Sequence, residues 1–157
     1  MDDAQTRSIA ADIAQGVSRL MARFDFVSVT EMGLVNSRRA DLCALGPKGE
    51  IRIAEIKSSI ADFKSDNKWH EYAPFCDRFY FAVGHDFPQD LIPQSAGLII
   101  ADKFGGAILR EPAEHKLSAA RRKAMTLRFG RLATRRLMNL QRSLADAQQA
   151  EPMSNRR

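Results

Sequence analysis

Apolar positions along the chain change period several times, and each change marks an element. Over residues 4–24, Ile9, Ile13, Val17, Leu20 and Phe24 recur at steps of three and four, which predicts a helix with one buried face. Asp2 or Asp3 favours its positive end, and Gly16 weakens its middle. Phe26–Thr30 is β-rich and predicts a strand that Glu31 ends. Two further apolar runs, Leu42–Leu45 and Ile51–Ile56, flank Gly46-Pro47-Lys48-Gly49, a turn sequence, so residues 38–57 predict a β-hairpin. Ser58 or Ser59 then caps a short helix near 59–66, and a second helical segment is expected near 68–74, ending at Pro74.

The strongest strand signal is Phe79–Val83, which is continuously apolar and predicts an interior strand covered on both faces. Gly97–Ala101 predicts another buried strand, and Ala107–Arg110 a short peripheral one, with a single turn at Gln89–Ile92 between. From Glu114 to about Gln149 the period is helical again, with a break or bend expected at Gly130. Residues 150–157 read as a disordered tail. The pattern is that of an α/β domain: a mixed central β-sheet flanked by helices, spanning residues 1–149 as one domain with a basic C-terminal helical region at 114–149.

Charge changes this picture in one place. Residues 1–115 carry 13 Lys and Arg against 17 Asp and Glu, whereas residues 116–142 carry nine basic residues and no acid. The basic character of the chain therefore lies in one helix, which points to a polyanionic partner. Arg121, Arg128, Arg135 and Arg142 are seven apart, and Arg131 widens their side. This stripe is read as a nucleic-acid backbone contact, against a merely solvated face or a grip on acidic lipid or protein. Cys43 and Cys76 form no metal-type pair and fit a reducing, cytoplasmic setting. No run is long and apolar enough for a bilayer, and no leader segment is evident, so no membrane partner is expected.

The hairpin carries the chemistry. Asp41 opens its first strand, and Glu55 and Lys57 share one face of its second by the period of two. Pairing across the turn brings the two carboxylates and the lysine together. The plain alternative is a surface salt bridge at a sheet edge. The richer reading is a site for a hard divalent cation, Mg2+ or Mn2+, held by Asp41, Glu55 and the main-chain carbonyl of Ile56. There the cation lowers the pKa of a bound water, and Lys57 orients that water and stabilises the transition state of phosphodiester hydrolysis. Glu31 is a candidate further acid at the same pocket, with Asp12 on the first helix as its rival. Ser58 and Lys68 are candidate phosphate contacts at the cleft mouth. Trp69 and Tyr72 are expected to dock their segment on the sheet.

The order helix, three-stranded meander, helix, buried strand, with an Asp on the second strand and Glu-x-Lys on the third, resembles the restriction-endonuclease-like, or PD-(D/E)XK, superfamily. Within it, the stretches RRADL, IAEIKSS, ADFKSDNKWHEY and CDRFYFAV resemble the bacterial DNA-repair-associated MmcB family over roughly residues 5–125. The resemblance matches Asp41, Glu55 and Lys57 to the motif's acids and lysine. Ala40 stands where a Pro often precedes the Asp, which alters backbone stiffness but not the ligand set. It implies a metal-dependent DNA endonuclease or structure-specific nickase in DNA repair, acting on damaged, branched or single-stranded DNA. Homodimerisation and contacts with other repair proteins are further expectations. Two alternatives stand beside it: a DNA-binding repair protein on the same fold that does not cut, and an adaptor whose basic helix grips an acidic partner.

Overall fold

The computed structural model describes residues 2–150. Helix α1 (Asp3–Arg23) precedes a six-stranded sheet of β1 (Val27–Gly33), β2 (Arg39–Leu45), β3 (Ile51–Lys57), β4 (Arg78–Val83), β5 (Gly97–Asp102) and β6 (Gly105–Arg110). The strands lie in chain order across the sheet. The β3–β4 and β4–β5 pairs are parallel and the other three antiparallel, so the sheet is mixed. The predicted β2–β3 hairpin turns at Gly49, whose φ of 88° is in the left-handed region that suits glycine. A short helix α2 (Ile60–Ser65) and two single turns, Trp69–Glu71 and Ala73–Phe75, make the crossover from β3 to β4. Helix α3 (Ala119–Ala150) closes the chain.

Two apolar layers sandwich the sheet. On one face Ile13, Val17, Leu20 and Met21 of α1 pack on Leu42, Ala54, Tyr80, Ala82 and Ile99. Gly16 lets the helix come this close: a Cβ there would stand 1.8 Å from the carbonyl oxygen of Asp102. The glycine expected to weaken α1 is the residue that permits its docking. On the other face Ile51, Ile53, Phe79, Phe81 and Leu98 are covered by Tyr72, Phe75, and Met125 and Phe129 of α3. As expected, β4 is interior, with Phe79 through Val83 buried.

Several boundaries differ from the sequence reading: β2 starts at Arg39, two residues before Asp41, and β6 at Gly105, two before Ala107. Strand β1 continues through Glu31 to Gly33, because pairing resumes with Met32 opposite Ala40 and Gly33 opposite Arg39. The helical segment expected near 68–74 is two 3-10 turns, Trp69–Glu71 and Ala73–Phe75, the second running through Pro74 instead of ending at it. There Trp69 still stacks on Phe79 at 5.6 Å, as expected of a docking aromatic. Helix α3 starts at Ala119 rather than Glu114, because the strap before it is spent on Asp77. The His115 amide donates to the Asp77 carbonyl at 2.8 Å, and the Leu117 amide to its carboxylate at 2.9 Å. The α3 helix then runs through Gly130 without interruption and includes Ala150. The rest of the expected tail lies outside the described residues.

Asp77 pins α3 to the sheet. Its carboxylate, almost wholly buried, accepts from the Ile51 amide at 2.8 Å and from both terminal nitrogens of Arg122 at 2.7 and 2.8 Å. Arg122 also donates to the Gly49 carbonyl at 2.6 Å. These donors outweigh the penalty of burial and hold the Asp77 carboxyl below its usual pKa. Among the described residues no helix is long and apolar enough to cross a membrane.

Candidate nuclease-type active site

Strands β2 and β3 pair only as far as Leu42 opposite Ala54. Beyond that point two side chains take over from the backbone ladder. The Ile56 amide donates to Asp41 Oδ2 at 2.8 Å, and the Asp41 amide donates to Glu55 Oε1 at 3.1 Å. Each acid thus uses an oxygen to satisfy an amide left unpaired where the strands part. The exchange fixes both carboxylates at one spot on the sheet. Lys57, two residues on along β3, lies beside them on the same strand face.

Glu55 and Lys57 are 4% and 5% exposed, unusual for charged residues and a sign of a built site. Burial, then the neighbouring Asp41 charge, pushes the Glu55 carboxyl up from 4.5 to about 8. Burial also raises Asp41, against the Ile56 amide and Lys57, which lower it. Lys57 Nζ donates to Asp66 Oδ2 at 2.6 Å. Asp66 sits just past α2, where the Lys68 amide also donates to it at 3.0 Å. Burial works to raise the Asp66 carboxyl, but the bond from Lys57 and the Lys68 amide bring it below its usual value.

Asp41, Glu55, Ile56 and Lys57 form the floor of a cleft of about 1140 Å3. Asp62, Asp66, Arg38 and Tyr72 line one side, and Arg7, Ala10, Ala11, Ala14, Gln15, Ser18 and Arg19 of α1 the other. Thr30 and Glu31 stand at the β1 edge. Glu31 has a left-handed φ of 52°, is largely exposed and pairs with Arg39 at 3.7 Å, so it is a rim acid rather than a partner of the buried pair. Of the two candidates for the extra acid, Glu31 lines the cleft and Asp12 is not among its lining residues.

Ser58 is half-buried and Lys68 exposed, and neither is among the residues lining the cleft. Lys68 contributes its amide to Asp66, so its place in the site is a backbone one. The basic stripe is partly spent inside the fold. Arg121 lies over the Phe75 ring at 4.5 Å, and Arg128 donates to the Gly33 carbonyl at 3.1 Å. Arg128, Arg131 and Arg135 line a separate groove of about 490 Å3 with Met32 and Gly33. Strand β1 therefore borders both features: Thr30 and Glu31 face the cleft, and Met32 and Gly33 the arginine groove.

Asp66, Arg38 and the α1 arginines escaped the sequence reading. Asp66 lay in a charge-dense stretch, and nothing in its spacing marks it as the partner of Lys57. Arg7 and Arg19 sit on the same helical side as Ala11 and Gln15, a small-residue strip whose meaning needs the position of the sheet.

The sequence profile of the DNA repair protein MmcB-like family matches residues 1–144. The chain belongs to this family. It is part of the PD-(D/E)XK-like lineage, and its mixed sheet with flanking helices is the restriction-endonuclease-like core of that lineage extended by α3. Among solved structures it is similar to the SPO1766 protein of unknown function from Silicibacter pomeroyi, with 44% identity and a TM-score of 0.82. That likeness covers 84% of this chain and 90% of the other. No match is found among curated proteins. Family membership associates the chain with DNA repair.

Proposed function

We propose that this protein is a divalent-cation-dependent DNA endonuclease or nickase acting in DNA repair. The observation that carries the reading is the convergence of Asp41, Glu55 and Lys57, on splayed strands, at the floor of an arginine-walled cleft.

The donor set fits a hard cation bound with few protein ligands. Among the described residues no three His, Cys, Asp or Glu side chains group to hold a metal. Two carboxylates and the Ile56 carbonyl suit Mg2+ or Mn2+, which keep several waters or take substrate phosphate oxygens. Each carboxylate engages one backbone amide through one oxygen, leaving the other oxygen for such a role. When bound, the ion supplies charge neutralisation at the phosphoryl oxygens and a more acidic water.

The chain's own groups do the rest. Lys57 carries positive charge on the cleft floor, where water is largely excluded and its attraction for a phosphoryl oxygen is strong. Asp66 fixes the direction of the Lys57 ammonium, which has two protons beyond the one it gives. Arg19 on the wall offers backbone phosphates a path over that floor, joined by Arg7 and Arg38 on exchanging their Asp3 and Glu71 partners for phosphate. Arg128, Arg131 and Arg135 extend the path across β1. Glu31 at the rim and Arg121, already stacked on Phe75, have lesser parts.

One observation favours a second reading, DNA binding without cutting. Lys57 is committed to Asp66, and both carboxylates are already hydrogen-bonded. The test is a nicking assay on single-stranded, branched and duplex DNA with Mg2+ or Mn2+, run beside a binding assay on the same substrates. Cleavage lost in Lys57→Ala with binding retained supports the nuclease. Binding without cleavage on every substrate supports the second reading.

A further inference from the structure

Every residue of α3 from Thr134 to Ala150 is exposed, and past Arg136, which still reaches the Glu31 carbonyl, no hydrogen bond or ion pair among the described residues ties the helix to the body. An isolated helix of that length is marginal in water. Its apolar residues are not scattered. Leu137, Leu140, Leu144 and Ala147 follow steps of three, four and three, the spacing of a two-stranded coiled-coil seam, with Met138 beside it and Ala133 continuing the line onto the body. Leu137, Leu140 and Leu144 are 53%, 58% and 56% exposed. We propose that this seam is a self-association surface, on which the same stretch of a second copy packs antiparallel about Leu140.

The occupant follows from charge and size. The positions flanking the seam are Thr134, Arg136, Gln141, Ser143, Gln148 and Ala150, with one charge among them. Arg136 is turned inward to the Glu31 carbonyl at 3.4 Å. An acidic partner would call for basic flanks, but Arg121, Arg128, Arg135 and Arg142 occupy the outermost heptad position, away from the seam. The seam therefore offers nothing to acid and opposes nothing in a copy of itself.

Antiparallel packing about Leu140 sets Leu140 on its own copy and brings Leu137 level with the Ser143–Leu144 step of the other helix, apolar against apolar, while Ala133 stays packed on its own body. The flanking side chains near the dyad, Gln141 and Ser143, are uncharged, so no like-charge pair forms there. It also places the two globular bodies at opposite ends, whereas a parallel pair would bring both bodies and their Arg128–Arg131 segments side by side. The exposed stretch is about 26 Å long, and two such helices bury roughly 1,000 Å2, the low end for specific interfaces. The association is accordingly reversible. It depends on neither the cation nor the nuclease reading.

Sedimentation velocity from about 1 μM to about 300 μM tests it, in a range suited to micromolar association. The wild type should shift from monomer to dimer, and the Leu137→Glu, Leu144→Glu double variant should stay monomeric with unchanged far-UV circular dichroism. A wild type that stays monomeric throughout overturns the proposal. Cys43 and Cys76 are buried, so cysteine cross-linking has a low background. Leu140→Cys should form a disulfide dimer, Leu137→Cys alone should not, and Leu137→Cys mixed with Leu144→Cys should. Equal self-cross-linking of Leu137→Cys and Leu140→Cys overturns the antiparallel arrangement. A dimer that persists in the double variant places the interface elsewhere and overturns the seam.

Discussion

Lys57 and Asp66 form a 2.6 Å ion pair in which the lysine side chain is 7% exposed and the aspartate 19%. The pair joins the end of β3 to the segment after α2, and so ties the cleft floor to its wall. Breaking a buried pair from one side leaves an uncompensated charge. Asp66→Asn should lower unfolding free energy by about 2 kcal/mol in urea denaturation. It should also raise affinity for a short single-stranded oligonucleotide, since the Lys57 charge is released to the cleft. Unchanged stability would mean that water already screens the pair.

The Glu55 carboxyl makes stability depend on pH in a direction opposite to most acids. Its pKa rises from 4.5 to about 8 on folding, so the folded chain holds the proton more tightly than the unfolded one. That contribution is present below about pH 4.5 and is lost as pH rises to about 8, amounting to on the order of 5 kcal/mol. Asp66 and Asp77 are lowered instead, so their contributions fade only at acid pH, below this window. Urea midpoints without divalent cation should fall from pH 5 to pH 8 for the wild type and fall less for Glu55→Gln, the remainder coming from Asp41, which burial also raises. Equal slopes for both proteins would remove Glu55 as the cause.

Asp41→Asn should abolish most Mn2+ affinity in a calorimetric titration while the fold is kept, because the amide is a poor ligand but still accepts from Ile56. Lys57→Ala should bind Mn2+ undiminished, as the ammonium repels a cation. Retained binding in Asp41→Asn would place the ion elsewhere.

Arg122→Ala should cost about 3 kcal/mol, because it strands a buried carboxylate. Arg122→Lys should recover only part, since a single ammonium cannot reproduce the two parallel bonds. Hydrogen exchange should show the first turns of α3 losing protection in Arg122→Ala. Protection equal to wild type would mean that Met125 and Phe129 suffice to hold the helix.

Replacing Arg128, Arg131 and Arg135 together with Ala should weaken binding to unrelated DNA sequences equally. It should flatten the plot of log affinity against log salt by about 2 to 3 for duplex, roughly 0.9 per phosphate contact. The lower figure applies if Arg128 keeps its bond to Gly33. Filter binding across a salt series measures both. An unchanged slope would leave the groove without a role in DNA contact.

The sequence by itself determined whatever depends on local period. Alternation placed Glu55 and Lys57 on one strand face, the Gly46–Gly49 turn returned Asp41 toward them, and the apolar run of Phe79–Val83 put β4 inside. Those outcomes rest on contacts within a hairpin or on the burial of a single strand, which short stretches encode. Tertiary structure alone decided the rest. Asp66 reaches Lys57 because a crossover folds back over the strand end, and Asp77 holds Arg122 across 45 residues. Arg7 and Arg19 face the cleft because Gly16 lets α1 settle against the turn after β5. The α3 arginines divide between internal bonds and an open groove according to where β1 lies beneath them. Such pairings join residues distant in sequence, and no periodicity records which buried charge will meet which partner.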